Sequence, residues 1–286
     1  MKNPAMTKPT VLIHISDIHF VNDQSLLRGL LENGKVLTKR HLGWLNYKLR
    51  RSGHFQPDLK QRLFEKLEKI DWNYLVISGD LTTLSLDREF LIAREAIAPL
   101  QKKGTVILTA GNHDRYISHS NGMDPVQSHF KDFWPYNSDE NPKLLTLSDD
   151  AVLIEIDMAH PRVFFSSRGK LRTDLANLKK IVKNEYKNKI KISIGHYPAF
   201  LPPGEQEGYF HQLSNIEELQ NFLLDLEIDY YLHGHIHKSW SFRPSEQSKL
   251  ISINSGGCCR HLNGEWAGFH KIEIADGSST VERICL

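Results

Sequence analysis

Five short apolar segments of this chain are each followed by polar side chains of the types that bind metal ions. Apolar runs of this length, rich in β-branched residues, are typical of buried β-strands. In open α/β sheets ligands gather beyond the carboxyl ends of the strands, so these polar side chains should converge on one place. Segments 11–16, 74–78, 106–110, 190–194 and 229–233 precede, in that order, Asp17 with His19, Asp80, Asn112 with His113, His196, and His235 with His237. Two carboxylates, one asparagine and four histidines besides His113 are enough ligands for two metal ions.

The remaining segments predict an α/β fold, because strands and helices alternate through the first half of the chain and strands are frequent in the second. Further strands are predicted at 151–157, 162–166, 249–254 and 268–274, and helices at 25–33, 37–51, 58–70, 86–102, 172–187 and 215–227. Since the metal-binding side chains come from both halves, we predict a single domain over residues 1–286. The segment Pro202-Pro203-Gly204-Glu205, just after His196, predicts a loop over the site.

The composition is that of an ordinary soluble protein, with 40% hydrophobic and 24% charged residues among 286. No apolar run approaches the length of a membrane span, and the first ten residues lack the apolar stretch of a signal peptide. Three cysteines (Cys258, Cys259 and Cys285) are too few for a disulfide framework, and no Cys-x-x-Cys spacing indicates a zinc ribbon. We therefore expect a cytoplasmic protein.

The spacing of the polar residues indicates how they could share metal ions. Asp17 and His19 are two residues apart, and in an extended backbone residues at this spacing project to the same side. Asp80 stands alone between the other sets, so we expect it to bridge two cations. Mixed nitrogen and oxygen ligands without thiolate suit Mn, Fe, Co, Ni or Zn rather than Ca, and we favour manganese. Two cations about 3.5–4 Å apart would hold a phosphoryl group and lower the pKa of a bound water towards about 7.

This series of motifs resembles the calcineurin-like metallophosphoesterase superfamily over about residues 10–274. The resemblance implies a two-sheet β-sandwich core flanked by helices (α/β/β/α). It also implies that Asp17, His19, Asp80 and His237 hold one divalent metal ion, and that Asp80, Asn112, His196 and His235 hold the other. By the same resemblance His113 is the catalytic histidine, which could stabilise developing charge or protonate the leaving oxygen.

Differences from the family pattern indicate which branch of the superfamily the chain resembles. Protein Ser/Thr phosphatases of the superfamily carry an Asp three residues after the bridging one, and purple acid phosphatases carry a metal-binding Tyr there, whereas this chain has Thr83. Gly79-Asp80-Leu81-Thr82 looks more like bacterial phosphodiesterases, including class III cyclic-nucleotide enzymes, although Tyr197 stands where many of these have a second histidine. Asp114 could orient His113 or cap a helix near 115–120. The expected function is a phosphodiesterase with a dinuclear metal centre, in which a metal-bound hydroxide attacks a small phosphodiester or nucleotide-linked substrate.

A basic amphipathic helical insertion is predicted at about residues 25–55. Between Arg28 and Arg62 nine Lys or Arg residues oppose two acidic ones, a local excess of seven positive charges. Leu42, Leu45 and Leu49 fall on one helical face. We favour the interpretation that the leucines pack on the body of the protein while the charges face solvent. Alternatively, the insertion contacts an anionic membrane, with the protein peripheral to its inner face, or a lipid-linked substrate. Nucleic acid is the less favoured partner.

Two alternatives to a phosphodiesterase remain at this level. One is a pyrophosphatase similar to the UDP-2,3-diacylglucosamine hydrolases of the superfamily, acting on a lipid-linked nucleotide at the membrane surface. The other is a catalytically silent scaffold that binds partners, which the complete ligand set argues against. Outside the motifs we interpret His14 and His233 as strand residues with satisfied hydrogen bonds and Cys258 and Cys259 as buried thiols. His160, His211, Arg168 and Arg260 could reach substrate, but a structural or solvent role is favoured for each.

Overall fold

The computed structural model describes residues 8–21, 39–46, 49, 56–118, 122–140, 142–162, 166–260 and 267–286. Its strands are β1 (Thr10–Ile15), β2 (Tyr74–Ile77), β3 (Thr105–Leu108), β4 (Leu144–Ser148), β5 (Ala151–Glu155), β6 (Ile190–Ile194), β7 (Tyr230–His233), β8 (Ser239–Phe242), β9 (Ile251–Ser255), β10 (Gly268–Ala275) and β11 (Ser278–Cys285). Its helices are α1 (Lys39–Asn46), α2 (Pro57–Lys69), α3 (Asp87–Ile97), α4 (Pro125–Phe130), α5 (Leu175–Glu185) and α6 (Ile216–Asp225), and a 3₁₀ helix spans Ala98–Lys102. Among these residues no helix is long and apolar enough to cross a lipid bilayer.

The strands form two sheets. The first has the order β11-β10-β1-β2-β3, in which β1, β2 and β3 are parallel and β10 and β11 are antiparallel additions. The second has the order β4-β5-β6-β7-β9-β8, with four parallel central strands and one antiparallel strand at each edge. The strands that precede the predicted metal-binding residues are therefore all parallel members of their sheets, which puts their carboxyl ends on one edge of each sheet.

Three apolar clusters show that the layers are helix, sheet, sheet, helix. Between the sheets, Leu12 and Val76 of the first sheet pack in one cluster with Ile192 and Leu232 of the second. The outer face of the first sheet packs against α2 and α3, and that of the second packs against α5 and α6. The predicted α/β fold with a two-sheet core flanked by helices is confirmed.

Local sequence explains where the helices lie. In α2, Pro57 occupies the first turn, where its missing N–H costs nothing, and the buried Leu59, Leu63 and Leu67 repeat every four residues on one face. The helix predicted over 86–102 is interrupted, because α3 ends at Ile97 and Pro99 belongs to the 3₁₀ helix that follows.

Some predicted elements differ from the structure or lie beyond its described part. Strands β4, β8 and β11 were not predicted, and all three are edge strands with partly exposed side chains. The predicted helix at 25–33, most of the basic insertion at 25–55 and the centre of the predicted strand at 162–166 lie outside the described residues. Of the predicted helix at 37–51, the structure describes α1 and Leu49.

Three buried histidines lie between or beside the sheets and are satisfied by serine hydroxyls. His14 contacts Ser78 Oγ at 2.9 Å and Ser255 Oγ at 3.0 Å, and His270 contacts the same Ser255 Oγ at 2.8 Å. His233 contacts Ser252 Oγ at 3.0 Å, so the structural interpretation of His14 and His233 is confirmed. Burial lowers the pKa of His233 to about 3 and that of His270 to about 4, so both are neutral in the folded protein at physiological pH.

The fold should therefore lose stability in mild acid. The folded pKa of His270 lies below the unfolded value, so the unfolded chain takes up a proton as the pH falls below about 6.5 while the folded chain does not until about 4. In this window each such histidine should lower the free energy of unfolding by about 1.4 kcal/mol per pH unit. Urea unfolding with a chelator present, between pH 7.5 and 5, should show a smaller slope for His270→Gln than for the wild type. Equal slopes would contradict the assignment of a neutral buried His270.

Candidate metal centre

All seven predicted ligand residues lie just beyond the carboxyl ends of parallel strands, as expected. Asp17 and His19 follow β1, Asp80 follows β2, Asn112 follows β3, His196 follows β6, and His235 and His237 follow β7. Both sheets therefore contribute to one site at the shared edge of the sandwich. Asp17, His19, Asp80, Asn112 and His196 are buried, and His235 and His237 are partly so.

The backbone that presents five of these residues is left-handed rather than extended. The φ angles are 55° at Asp17, 49° at His19, 54° at Asp80, 75° at His235 and 53° at His237. The prediction that residues two apart converge because the backbone is extended is thus wrong, although the pairs do converge. Non-glycine residues in this region cost on the order of 1 kcal/mol or more each, and such residues cluster at functional sites. Five such residues at one site indicate that this strained backbone is kept for the function of the site.

Glycines beside the ligands are needed chiefly for space. A Cβ on Gly111 would lie 2.1 Å from Asp80 Oδ1, and a Cβ on Gly234 would lie 2.1 Å from Asp17 Oδ2. Gly79 also has φ of 101°, which a side chain rarely adopts. The two carboxylates therefore pack against bare backbone, which lets loops from different strands approach the same point.

Backbone hydrogen bonds align the loops after β1 and β2. The amide of Asp17 donates to the carbonyl of Gly79 at 3.0 Å, and the amide of His19 donates to the carbonyl of Asp80 at 3.0 Å. The amide of His113 donates to Asp80 Oδ1 at 2.8 Å. One carboxylate oxygen of Asp80 is thus held by the loop after β3, and the other, Oδ2, is directed elsewhere.

The first group of candidate ligands consists of Asp17, His19, Asp80 and His237, whose donor atoms all lie within 4.8 Å of one another. His19 Nε2 lies 3.1 Å from His237 Nε2 and 3.8 Å from Asp80 Oδ2. Asp17 Oδ1 lies 3.2 Å from His237 Nε2. The second group consists of Asp80, His196 and His235, and it shares Asp80 with the first.

Asn112 completes the second group. Its Oδ1 lies 3.1 Å from His196 Nε2 and 2.8 Å from His235 Nδ1. Asp80 Oδ2 lies 3.4 Å from His196 Nε2 and accepts no hydrogen bond from the described residues, although it is buried. A buried carboxylate oxygen without a donor is costly, and a cation between the two groups would satisfy it.

Backbone carbonyls fix which nitrogen of each imidazole faces the centre. His19 Nδ1 lies 3.1 Å from the carbonyl of Thr82, and His196 Nδ1 lies 2.8 Å from the carbonyl of Ser78. A carbonyl can only accept, so each Nδ1 carries the proton and the Nε2 lone pair is directed at the carboxylates. This arrangement is typical of metal-binding histidines. The donor set therefore fits two divalent cations.

The carboxylates and histidines of the centre shift one another's pKa values. Burial alone would raise the pKa of Asp17 and of Asp80. The contact with His237 instead lowers the pKa of Asp17 below its usual range, and the charge of His196 does the same for Asp80. Burial alone would lower the pKa of His196, but the charge of Asp80 and its contact raise it to about 9. Without a cation His196 would thus be protonated at neutral pH, and a cation entering the second group must displace that proton.

His113 is positioned beside the two groups by a backbone carbonyl. Its Nδ1 lies 2.6 Å from the carbonyl of Thr83, and its ring stacks on Tyr116 with the centroids 5.5 Å apart. The main-chain carbonyl of Thr83 thus orients the imidazole of His113. The sequence pattern could not reveal this contact.

Asp114 does neither of the two things predicted for it. Its carboxylate accepts from the amides of Thr82 and Gly111, at 2.8 and 3.0 Å, and from the hydroxyl of Thr82 at 3.0 Å. Residues 112–115 form a turn and 116–117 a bend, so no helix follows Asp114 among the described residues up to 118. Burial and the charge of Asp80 raise the pKa of Asp114 to about 6. Its function is to join the loops that carry Asp80 and Asn112.

Comparison with known proteins identifies the family. The calcineurin-like phosphoesterase family matches residues 10–239. The chain belongs to this family. Comparison with curated proteins gives no match.

The fold is shared with a solved phosphatase structure. The chain resembles purple acid phosphatase PPD1 from seeds of yellow lupin (Lupinus luteus), with a TM-score of 0.62 and 16% identity over 99% of this chain and 52% of that chain. The chain thus spans about half the length of the lupin protein. It is also similar to TT1561 of Thermus thermophilus (TM-score 0.49, 9% identity, 96% of this chain and 99% of that one). Phosphopantetheinyl hydrolase of Mycobacterium tuberculosis matches with a TM-score of 0.48 and 10% identity over 86% of this chain and 88% of that one.

The candidate centre lies in a cleft of about 800 Å³. One wall consists of the metal-site residues Asp80, Asn112, His235 and His237 together with His113. The residues that line the cleft also include four leucines: Leu42, Leu45 and Leu49 of the α1 region and Leu84. All three leucines of the α1 region line the cleft, and Leu45 and Leu49 are 48% and 74% exposed.

The favoured interpretation that the charges of the insertion face solvent is wrong for Lys39 and Arg40, the two Lys or Arg residues of 25–55 that the structure describes. Lys39 Nζ donates to the carbonyls of Arg162 and Ser166 at 3.0 and 3.1 Å, and Arg40 Nε donates to the carbonyl of Leu84 at 3.0 Å. The side chains of Lys39 and Arg40 thus attach α1 to neighbouring loops, and the leucines face the cleft.

Several residues outside the predicted ligand set also reach the cleft. His211 and Arg260 line it, whereas Arg168 stacks over the ring of Tyr209 at 4.1 Å. Tyr197, which occupies the position of a second histidine, is buried and donates to the carbonyl of Ser167 at 2.5 Å. Glu207 of the loop after His196 also lines the cleft, and no sequence motif predicts it. Cys258 and Cys259 are buried thiols, as predicted.

Proposed function

We propose that this phosphoesterase hydrolyses phosphodiester bonds with the help of two divalent cations. Family membership supports phosphoester hydrolysis in general. The observation that carries the proposal is the pair of ligand groups that share Asp80, with an otherwise unsatisfied carboxylate oxygen between them.

In this proposal Asp17, His19, Asp80 and His237 hold one cation, and Asp80, Asn112, His196 and His235 hold the other. The set contains nitrogen and oxygen donors and no thiolate, which suits Mn, Fe, Co, Ni or Zn, and we favour Mn. When bound, such a pair would polarise the phosphoryl oxygens and lower the pKa of an attacking water.

The chain itself supplies orientation and proton transfer. Nδ1 of His113 donates to the carbonyl of Thr83, so the imidazole would act as an acid in its doubly protonated form, giving the proton on Nε2 to the oxygen of the departing group and regaining a proton from water. Arg260 lines the same cleft and places a positive charge near the phosphoryl oxygens. Placement and charge neutralisation are the main contributions a protein makes to phosphoryl transfer.

The size and chemistry of the cleft support a diester rather than a monoester. A volume of about 800 Å³ leaves room for substituents on both sides of a phosphoryl group at the metal centre. The leucines of α1 offer an apolar surface to one of them. A phosphomonoester would leave that wall without a partner.

A panel of cations and substrates tests this proposal. Protein loaded with Mn, Fe, Zn, Ni or Co should hydrolyse bis-p-nitrophenyl phosphate with a higher kcat/KM than p-nitrophenyl phosphate, and a chelator should abolish both activities. A cyclic nucleotide tests the branch that Gly79-Asp80-Leu81-Thr82 resembles. A preference for the monoester with every cation would refute phosphodiester specificity while leaving the family assignment intact.

The apolar wall of the cleft favours a second candidate, a pyrophosphatase that acts on a lipid-linked nucleotide at a membrane surface. Leu42, Leu45 and Leu49 face the cleft and could contact acyl chains. An acylated UDP-sugar should then have a much lower KM than the same UDP-sugar without acyl chains, and Leu45→Gln should reduce the difference. Equal KM values would reject this candidate. Binding to anionic liposomes, but not to neutral ones, would support peripheral contact through residues 25–55.

A catalytically silent scaffold is the alternative of another class. The filled ligand positions and the presence of His113 beside them argue against it. Metal analysis of purified protein distinguishes the two, because a scaffold that had lost its catalytic role would have no need of two bound cations.

A further inference from the structure

The loop over residues 202–211 brings a carboxylate to the outer side of a candidate metal ligand. Glu207 Oε1 lies 2.8 Å from His235 Nε2, and the carbonyl of His211, from the same loop, lies 3.2 Å from that nitrogen. The side chains of Glu207 and His235 are only 4% and 7% exposed. The contact is therefore shielded from water, where a charge acts more strongly than at the surface.

The loop is held in place independently of this contact. Gln212 Nε2 donates to the carbonyl of Glu207 at 2.8 Å, and the amide of Ser167 donates to the carbonyl of Phe210 at 2.9 Å. At the other end, Lys238 Nζ lies 2.6 and 2.8 Å from the two carboxylate oxygens of Glu205. A fixed loop can orient a side chain on its neighbour.

The carbonyl of His211 indicates the tautomer of His235. A carbonyl can only accept, so Nε2 carries the proton and the lone pair belongs to Nδ1. Glu207 Oε1 lies beside this N–H without accepting a hydrogen bond from it, so the carboxylate acts on the imidazole through its negative charge. Nδ1 lies 2.8 Å from Asn112 Oδ1, on the side of the second ligand group. His19 and His196, in contrast, are oriented by backbone carbonyls and face the centre through Nε2.

We propose that Glu207 is a positioning residue whose negative charge stabilises the Nε2-protonated tautomer of His235, set by the carbonyl of His211, and makes Nδ1 of His235 a stronger ligand for the second cation. This inference rests on the proposed function. A carboxylate behind a metal-binding imidazole raises the basicity of the ligating nitrogen, and loss of such a partner weakens metal binding by about 10–100-fold. The first group contains neither His235 nor Asn112, so its affinity should change little.

Metal binding by the full-length protein tests the proposal directly. Equilibrium dialysis against Mn²⁺, with metal content measured by mass spectrometry, should give two ions for each wild-type chain. Glu207→Ala should lower the affinity for the second ion by about 10–100-fold, so that each chain holds one ion at intermediate Mn²⁺ concentrations. Glu207→Gln keeps the shape and an acceptor oxygen but loses the charge, and it should show a smaller loss.

Glu205→Gln is the matched control, because Glu205 lies two residues away in the same loop and pairs with Lys238 instead of a histidine. It should bind two ions with wild-type affinity. Dinuclear Mn²⁺ also gives a coupled electron paramagnetic resonance signal, which should be replaced by a mononuclear signal in Glu207→Ala at intermediate Mn²⁺. Thermal unfolding without metal checks that each variant is folded. If Glu207→Ala does not fold, Glu207→Gln supplies the test instead.

Two results would overturn the proposal. One is wild-type affinity for both ions in a folded Glu207 variant, and the other is an equal loss in Glu205→Gln, which would assign the effect to the loop rather than to Glu207. Failure of the proposed function gives a different result, because the wild type itself would then not bind two ions.

Discussion

Replacement of Asp80 by asparagine is expected to lower kcat/KM for bis-p-nitrophenyl phosphate by about a thousandfold or more, or ~4 kcal/mol of transition-state stabilisation. Asp80 belongs to both ligand groups, and its Oδ2 lies 3.8 Å from His19 Nε2 and 3.4 Å from His196 Nε2. Asparagine has nearly the same shape and can still accept from the amide of His113 through Oδ1. The substitution therefore removes the negative charge shared by two cations and leaves the loop contact.

The measurement combines kinetics with metal content and thermal unfolding. Added Mn²⁺ should raise the Tm of the wild type, since a ligand that binds only the folded state stabilises it, and should raise that of Asp80→Asn much less. Glu155→Gln is a matched control because Glu155 is also a buried carboxylate, accepts a hydrogen bond from Thr109 at 2.8 Å and belongs to neither ligand group. It should retain activity and metal content. Near wild-type activity in Asp80→Asn would contradict a shared ligand at this position.

The sequence predicts the location of the site well because strand ends leave a strong signal. A short apolar run followed by glycine and a polar residue marks the carboxyl end of a parallel strand, and residues as distant as Asp17 and His237 meet there. The layer order follows for the same reason, since crossover helices must cover both sheets.

The sequence does not predict how the ligands are presented. Asp17 and His235 have left-handed φ angles, and although Asp and His adopt such angles more often than most residues, the preference is too weak to predict them at these positions. The carbonyl of Thr83 and the carboxylate of Glu207 act on histidines that are distant in sequence or lie across a loop. Every residue has a backbone carbonyl, so the sequence does not show which carbonyl accepts from a given histidine, and only the structure does.

The role of α1 shows a further limit of pattern reasoning. Spacing alone puts Leu42, Leu45 and Leu49 on one face but cannot tell whether that face meets the core or a cleft. Hydrogen bonds from Lys39 and Arg40 to backbone carbonyls hold the helix in an orientation in which the leucines line the cleft.

Replacement of His113 by glutamine is expected to lower activity by an amount that depends on the leaving group. Proton transfer by a positioned side chain contributes about 10²–10⁴-fold, and we expect a loss in this range for a substrate with an alkoxide leaving group, such as a cyclic nucleotide. The loss should be far smaller for bis-p-nitrophenyl phosphate, because p-nitrophenolate departs readily without a proton. Comparison of kcat for the two substrates, wild type against variant, gives the measurement.

The contrast between leaving groups separates two roles that a single rate cannot distinguish. His129→Gln is the control, since His129 stacks on Phe90 and lies 3.3 Å from Asp87, outside both ligand groups. It should leave both rates unchanged. If His113 instead stabilises charge on the phosphoryl oxygens, glutamine would reduce both rates by the same factor, because that charge is present whichever oxygen departs. An equal loss would therefore remove His113 as the proton donor while leaving its place beside the metal centre intact, and the proton would have to reach the leaving oxygen from water.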